Sequence, residues 1–371
     1  MRKLVIVGLV FFLGYFTSHS QDDVEDKETV KSNPNRTIKI VKVKENIYMF
    51  QGKGGNIGVF IGEDGVFMID DQFAEATPEI LTLVKNLSDK PVQFLINPHH
   101  HGDHTGGNKN MNDNGIVIYS HDNVRKHLLE GVIQKAGKKQ NAAIKEKLAK
   151  LEMNDKMDKE KVRTEVNKNV MDISHFTNKD NIFPMITFSD EITFFYNGEE
   201  IIVFHVQNAH TDGDVIVYFT KNNVIHTGDT FFNGRYPFID FNSGGSLQGS
   251  IDAIDKILMI ADEKTIIIPG HGNLASINDL RITRSMLTFF WKRITNFIVN
   301  KKTEDEVVNM KELTKEYDAK GFGDGFISTD KFIRTIYKDV IKDLGPIDNR
   351  TMEERLNDKL KDAENKNKNK G

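Results

Sequence analysis

The 371-residue sequence contains no cysteine. Disulfides are therefore excluded as a means of holding the fold together, and so is any thiolate ligand to a metal. A lipid anchor attached through cysteine is excluded with them. Stability has to come from a core, for which 25 phenylalanines are available, and from any metal held by nitrogen and oxygen. A basic excess is also missing. Fifty Lys and Arg stand against 54 Asp and Glu, a formal net charge of −4, so no global field draws the chain to nucleic acid. The third absence is a long apolar run. The run Leu4 to Phe16 covers about 13 residues, too short to span a bilayer comfortably. Arg2-Lys3 precedes it and Thr17-Ser18-His19-Ser20 follows. The pattern predicts a cleavable signal peptide over 1–20, with an uncleaved anchor as the alternative. The mature chain is then expected in the periplasm or outside the cell, without stable membrane insertion.

Residues 21–36 are polar and charged and read as a disordered linker. From Thr37 short β runs begin, separated by turns such as Gly62-Glu63-Asp64-Gly65. Thr77-Pro78 predicts a helix start, with Thr77 as its cap. The apolar run Pro91 to Ile96 reads as a buried strand, followed by a strand at 116–119 and a helix from Ser120 to Leu129. Residues 130–182 are rich in charge and carry weak helical stripes, which predicts a helical insert. Strands return at 192–196 and 201–206 around the hairpin signal Asn197-Gly198. Further strands at 215–219, 224–227 and 265–268 frame a helix at 247–261. From Leu280 to about Leu344 the pattern is helical, and the tail is charged.

The densest chemistry is the stretch Pro98-His99-His100-His101-Gly102-Asp103-His104, directly after a strand. Neutral imidazole and carboxylate are the ligands zinc accepts at near-tetrahedral geometry. Gly102 allows a tight turn between them. His210, in Ala-His-Thr-Asp-Gly-Asp, Asp229, in Thr-Gly-Asp, and His271, in Pro-Gly-His-Gly, likewise follow strands. By donor type, His99, His101 and His210 make one three-nitrogen set, and Asp103, His104 and His271 a second set of equal size. Asp229 has two oxygens and can bridge both. Two such ions would lower the pKa of a shared water toward neutrality. His100 reads as structural, pointing away from its neighbours in extended chain. His121 and His127 read as cap or packing residues on a helix, and His205 and His226 as core residues of strands. Asp70-Asp71 closes a strand and is placed to orient a ligand from behind.

Taken together, the motif H-x-H-x-D-H at His99, His101, Asp103 and His104, with His210, Asp229 and His271 in order, resembles the metallo-β-lactamase superfamily over roughly residues 37–300. The resemblance implies an α/β, αββα sandwich of two mixed sheets flanked by helices. To it are added the helical insert (130–182), a helical C-terminal extension (301–345) and a charged flexible tail (346–371). It implies two Zn2+, with iron or mixed metals left open, and a small-molecule substrate hydrolysed at an ester, lactone, thioester or amide bond. Asp103 would orient the nucleophile and accept its proton. Arg235 and Asn233, just past Asp229, are candidate substrate contacts. A β-lactamase proper is an alternative, although the commonest branch uses a Cys ligand and that residue is lacking. The flavin di-iron branch places Glu where His101 stands. Single-iron persulfide dioxygenases share much of the motif and remain an alternative, as does a metal-stabilised binding module without turnover.

Overall fold

The computed structural model describes residues 37–152 and 182–344. The expected leader (1–20), linker (21–36), later part of the insert (153–181) and tail (346–371) lie outside the described residues. Among the described residues the strands form two sheets. The first has seven strands in sequence order: β1 (Lys39–Lys42), β2 (Ile47–Gln51), β3 (Ile57–Gly62), β4 (Gly65–Ile69), β5 (Val92–Ile96), β6 (Val117–His121) and β7 (Ile186–Phe188). It is antiparallel through β4 and parallel from β4 to β7. The second has six: β8 (Glu191–Tyr196), β9 (Glu199–His205), β10 (Val215–Phe219), β11 (Val224–His226), β12 (Ile266–Ile268) and β13 (Ala275–Ser276). Here only the β11–β12 pair is parallel.

The turns follow from their residues. Asn197 and Gly198 both take positive φ, 53° and 69°, as a two-residue hairpin between β8 and β9 requires. Alternation along each strand then sorts side chains to two faces. Phe67 points between the sheets while Val66 and Met68 point outward. Ile201 and Val203 of β9 face Phe67 from the other sheet, and Phe204 points away. Phe67 is fully buried, with the rings of Phe94, Phe194, Tyr196 and Phe219 around it at 5.1–6.4 Å.

Helices cover both outer faces. On the first sheet α1 (Thr77–Leu87) packs through Ile80, Leu83 and Val84. Two short helices, α2 (Gly102–Thr105) and α3 (Asn108–Asp113), follow β5, and α4 (Asp122–Glu152) follows β6. On the second sheet lie α5 (Leu247–Ile260), capped by Ser246, and α6 (Ile277–Val299), opened by a capping box of Ser276 and Asp279. The C-terminal extension contributes α7 (Glu304–Val308), α8 (Lys315–Asp318) and α9 (Thr329–Leu344). Phe332, Ile333 and Ile336 of α9 share one core with Leu287 and Phe290 of α6. The result is the αββα sandwich. No described helix is long and apolar enough to cross a membrane.

Three local expectations are corrected. Thr77 lies inside α1 rather than capping it, because a 3-10 turn, Ala74–Ala76, runs straight into the helix; its Oγ1 is buried without a partner. His121 ends β6 rather than lying on a helix. It pairs with Phe188 of β7, and its ring stacks on His205 at 3.8 Å between the two sheets. Over its described part the insert is a single helix, continuous with the one expected at 120–129.

Phe67→Ala is expected to cost about 3–5 kcal/mol of unfolding free energy through the cavity it leaves between the sheets. A urea titration showing a midpoint within error of wild type would contradict this placement of the core.

Candidate metal centre

β9 and β11 are both antiparallel to β10, and β11 is parallel to β12, so these three strands end on the same edge. β4 and β5 end together in the facing sheet. The chain leaves these ends carrying the metal-competent residues. His99 follows β5 through Asn97-Pro98. His101 caps α2, which holds Asp103 and His104. His210 follows β9, Asp229 sits in the 3-10 turn Gly228–Thr230 after β11, and His271 follows β12.

All seven meet in two adjoining sets. In the first, His101 Nδ1 lies 3.1 Å from His99 Nε2 and 2.9 Å from His210 Nε2. In the second, Asp103 Oδ2 lies 3.5 Å from His104 Nε2 and 3.4 Å from His271 Nε2. Asp229 stands between them. Its Oδ2 is 3.7 Å from His99 Nε2 and 3.6 Å from His210 Nε2. Its Oδ1 is 3.2 Å from His104 Nε2 and 3.4 Å from His271 Nε2. Asp229 is only 5% exposed, whereas the Asp103 side chain is 30% exposed.

Three of the imidazoles are fixed from behind. His210 Nδ1–H donates to the Phe238 carbonyl at 2.7 Å. His101 Nε2 meets Asp240 Oδ2 at 3.0 Å, and since a carboxylate only accepts, Nδ1 is left with its lone pair toward the cluster. His104 Nδ1 donates to Asp70, as the sequence reading of Asp70 anticipated. Asp70 adopts φ 76°, a costly conformation for a residue with a Cβ, held by its N–H to Ile96 O and by Gln72 N on its own carboxylate. Two glycines permit the close approach. A Cβ at Gly55 would lie 2.2 Å from His104 Cε1, and one at Gly270 would lie 2.1 Å from Asp229 Oδ1.

The sets differ in electrostatics. Burial pushes His99 well below the ordinary imidazole range and His210 down to about 4, so both are neutral donors of lone pairs. Burial also opposes charge on His104 and His271, but the carboxylates of Asp229, Asp70 and Asp103 outweigh it. His104 is held well above the ordinary range and His271 at about 9. Desolvation would raise Asp229, yet the surrounding imidazoles hold it well below the usual carboxylate range. The second set therefore calls for positive charge. Its buried His104 Nε2 and Asp229 Oδ1 make no hydrogen bond, so they are free to aim at a shared cation. The donor set, nitrogen and oxygen only, fits a pair of divalent metals.

Residues outside the sets find other uses. His100 stacks on His127 at 4.3 Å, and His127 Nε2 meets Asp212 at 2.7 Å. His226 is buried in β11, donating from Nε2 to Asn56 O at 2.9 Å and accepting at Nδ1 from Gly228 N at 3.1 Å. It thus ties the two sheets together behind the centre. Arg235 and Asn233 line a cleft of about 550 Å³ that also includes Lys53 and His271. The Asn233 amide nitrogen is engaged by the carbonyls of Asn273 and Leu274, so it braces the His271 loop. Asp240 and Phe238 escaped the sequence reading. Neither belongs to a motif, and only the fold brings them behind the imidazoles.

The chain matches the family model described as the metallo-beta-lactamase superfamily over residues 51–271. Among solved structures it is similar to a metallo-beta-lactamase from Pontibacter korlensis, at 17% identity and TM-score 0.48, covering 68% of this chain and 99% of that one. It is also similar to the DIM-1 metallo-beta-lactamase, at 20% identity and TM-score 0.48, covering 68% of this chain and 98% of that one. Curated relatives include an uncharacterized protein of Mycobacterium leprae, 36% identical over 70 residues, or 19% of this chain and 32% of that protein. An uncharacterized protein of Mycobacterium bovis is 35% identical over 74 residues, 19% and 33% of the two chains. The chain thus spans about a third of the length of the curated relatives it matches.

Asp240→Ala is expected to weaken metal binding by about 10–100-fold, because His101 loses the partner that fixes its ring. Competition with a chromophoric chelator reads this directly, and an unchanged affinity would dismiss the bracing role. Burial lowers His226 from 6.5 to about 4. Between these values the unfolded chain takes up a proton that the folded chain refuses, so stability falls as pH drops through this window. His226→Gln should flatten that part of the urea-midpoint profile; parallel profiles for the two proteins would count against it.

Proposed function

The chain belongs to the metallo-beta-lactamase superfamily, and from that membership we propose that it is a dinuclear zinc hydrolase acting on a carbonyl-type ester, lactone, thioester or amide bond. The observation that carries the reading is Asp229, a buried carboxylate with one oxygen toward each ligand set. His99, His101 and His210 would hold one ion, Asp103, His104 and His271 the other, and Asp229 would reach both. Bound there, the cations would lower the pKa of water toward neutrality and polarise a carbonyl oxygen.

The chain's own residues do the rest. Asp103, the more exposed of the two cluster carboxylates, orients the attacking water and takes its proton. Asp240, Asp70 and the Phe238 carbonyl keep three imidazoles in the tautomer that faces inward. The ring of Phe232, 4.9 Å from that of His271, and the ring of Phe238, 5.8 Å from that of His101, give each ligand set an apolar neighbour. Arg235 lines the cleft beside His271 and makes no ion pair among the described residues, which suits it to a substrate carboxylate. The second set, with its unpartnered His104 Nε2 and Asp229 Oδ1, favours two ions over one. The charged-then-apolar start, Arg2-Lys3 before Leu4 to Phe16, supports export, and sequencing the mature N-terminus tests for cleavage before Gln21.

Asp229→Ala is expected to reduce bound zinc from two ions toward one or none and kcat/KM by at least about 100-fold. Elemental analysis paired with a panel of β-lactams, lactones, thioesters and phosphodiesters measures both. Full turnover by the metal-depleted variant, or turnover of phosphodiesters alone, would refute the proposal.

A further inference from the structure

The C-terminal extension reaches the rim of the metal centre. Between α8 and α9 the loop is anchored twice. Phe322 is buried and its carbonyl accepts from Tyr236 N at 3.2 Å, and Ile327 is buried in the core beneath α9. The residue just before Ile327, Phe326, is held outward and is 75% exposed. It is not adrift, for its ring lies 5.8 Å from that of Phe238, edge to face. Phe238 in turn stacks on His101 at 5.8 Å and 23°, and meets His210 at 5.5 Å. One aromatic ring therefore separates Phe326 from the first ligand set.

A cation sits over this pair. Lys331 Nζ, from the first turns of α9, lies 4.3 Å from the Phe326 centroid and 5.1 Å from that of Phe238. It makes no ion pair among the described residues. Three carboxylates of this region are engaged elsewhere. Asp330 pairs with Lys311 at 3.0 Å, Asp318 accepts from Tyr236 and Thr329, and Asp240 holds His101. An exposed apolar ring and an ammonium with no ion pair among the described residues thus lie side by side, one ring away from the first ligand set, and together offer an apolar surface and a cationic tip to one ligand.

We propose that Phe326, Phe238 and Lys331 form a substrate-recognition rim, which takes a compound with an apolar segment ending in a carboxylate or another anionic group. The apolar segment lies against Phe326 and Phe238, and the anion meets Lys331. The position of the scissile bond over the first ligand set rests on the hydrolase reading, whereas the binding itself does not.

Calorimetric titration of the zinc-loaded protein with 4-phenylbutyrate and its neutral amide tests the rim. Wild type should bind the carboxylate more tightly than the amide. Lys331→Gln should lower carboxylate affinity by about fivefold and leave the amide unchanged. Phe326→Ala should weaken both by a similar factor. Both side chains are exposed, so the variants are expected to fold, and circular dichroism checks this. A carboxylate bound only by the metals would not respond to Lys331→Gln, and that result overturns the proposal. So does loss of the carboxylate preference in Arg235→Gln but not in Lys331→Gln, or binding of neither compound by wild type. Ester turnover is measured separately. A wild type that hydrolyses nothing but shows these affinity changes removes the hydrolase reading and keeps the rim, and active protein with an unchanged affinity ratio does the reverse.

Discussion

A single buried carboxylate sets the terms for this structure. Asp229 has its charge almost wholly removed from water, and it stays ionised because the imidazoles of His104 and His271, both held above the ordinary range, lie 3.2 and 3.4 Å from its Oδ1. An isolated charge at such a depth would be strongly unfavourable. The fold must therefore deliver imidazoles from two sheets to one spot, and the architecture can be understood as the means of doing so. Parallel pairing of β4 with β5 and of β11 with β12 points neighbouring strand ends the same way, and the core packed around Phe67 holds the two edges in register. The Asn56 side chain donates to Pro269 O and Gly272 O, which locks the His271 loop of one sheet to the start of β3 in the other.

The ligands are selected twice, once by position and once by orientation. An imidazole placed correctly but free to rotate would spread its lone pair over several directions. Here His101, His104 and His210 each give their far nitrogen to an acceptor, and those acceptors differ in kind: a half-buried carboxylate, a fully buried one and a backbone carbonyl. The buried carboxylate of Asp70 comes with backbone strain, since its φ of 76° is held against the preference of any residue with a Cβ.

Much of this was legible in the sequence, for physical reasons that also explain the rest. The strand order followed from period-two apolar runs and from turn residues that can take positive φ, such as Asn197-Gly198. His99 to His104 stood out because residues that bind metal were crowded on one short loop. His210 and His271 are single histidines, and what marked them was their place just past strand ends and their donor type, with which the family pattern agreed. Asp240 had no local signature, because a lone aspartate in a loop reads as solvated until the fold sets it behind His101. Gly55 carried no signal of its own, and only the packed structure shows that a side chain there would strike His104. His121 was misassigned for a related reason. The strand that pairs with it, β7, is three residues long and follows a charged insert, so no periodic signal marked it.

Tyr236 belongs to two structures at once. It lies seven positions past Asp229 in the segment that walls the metal centre, and its ring is stacked flat on Phe332 of the C-terminal extension at 4.2 Å and 14°. The wall and the terminal helices therefore cannot drift independently. A chain trimmed of its last helices would lose the surface against which the wall of the centre is shaped. Any change in the extension would be felt in that wall and in folding stability together, so an appendage of this kind resists being exchanged as a module.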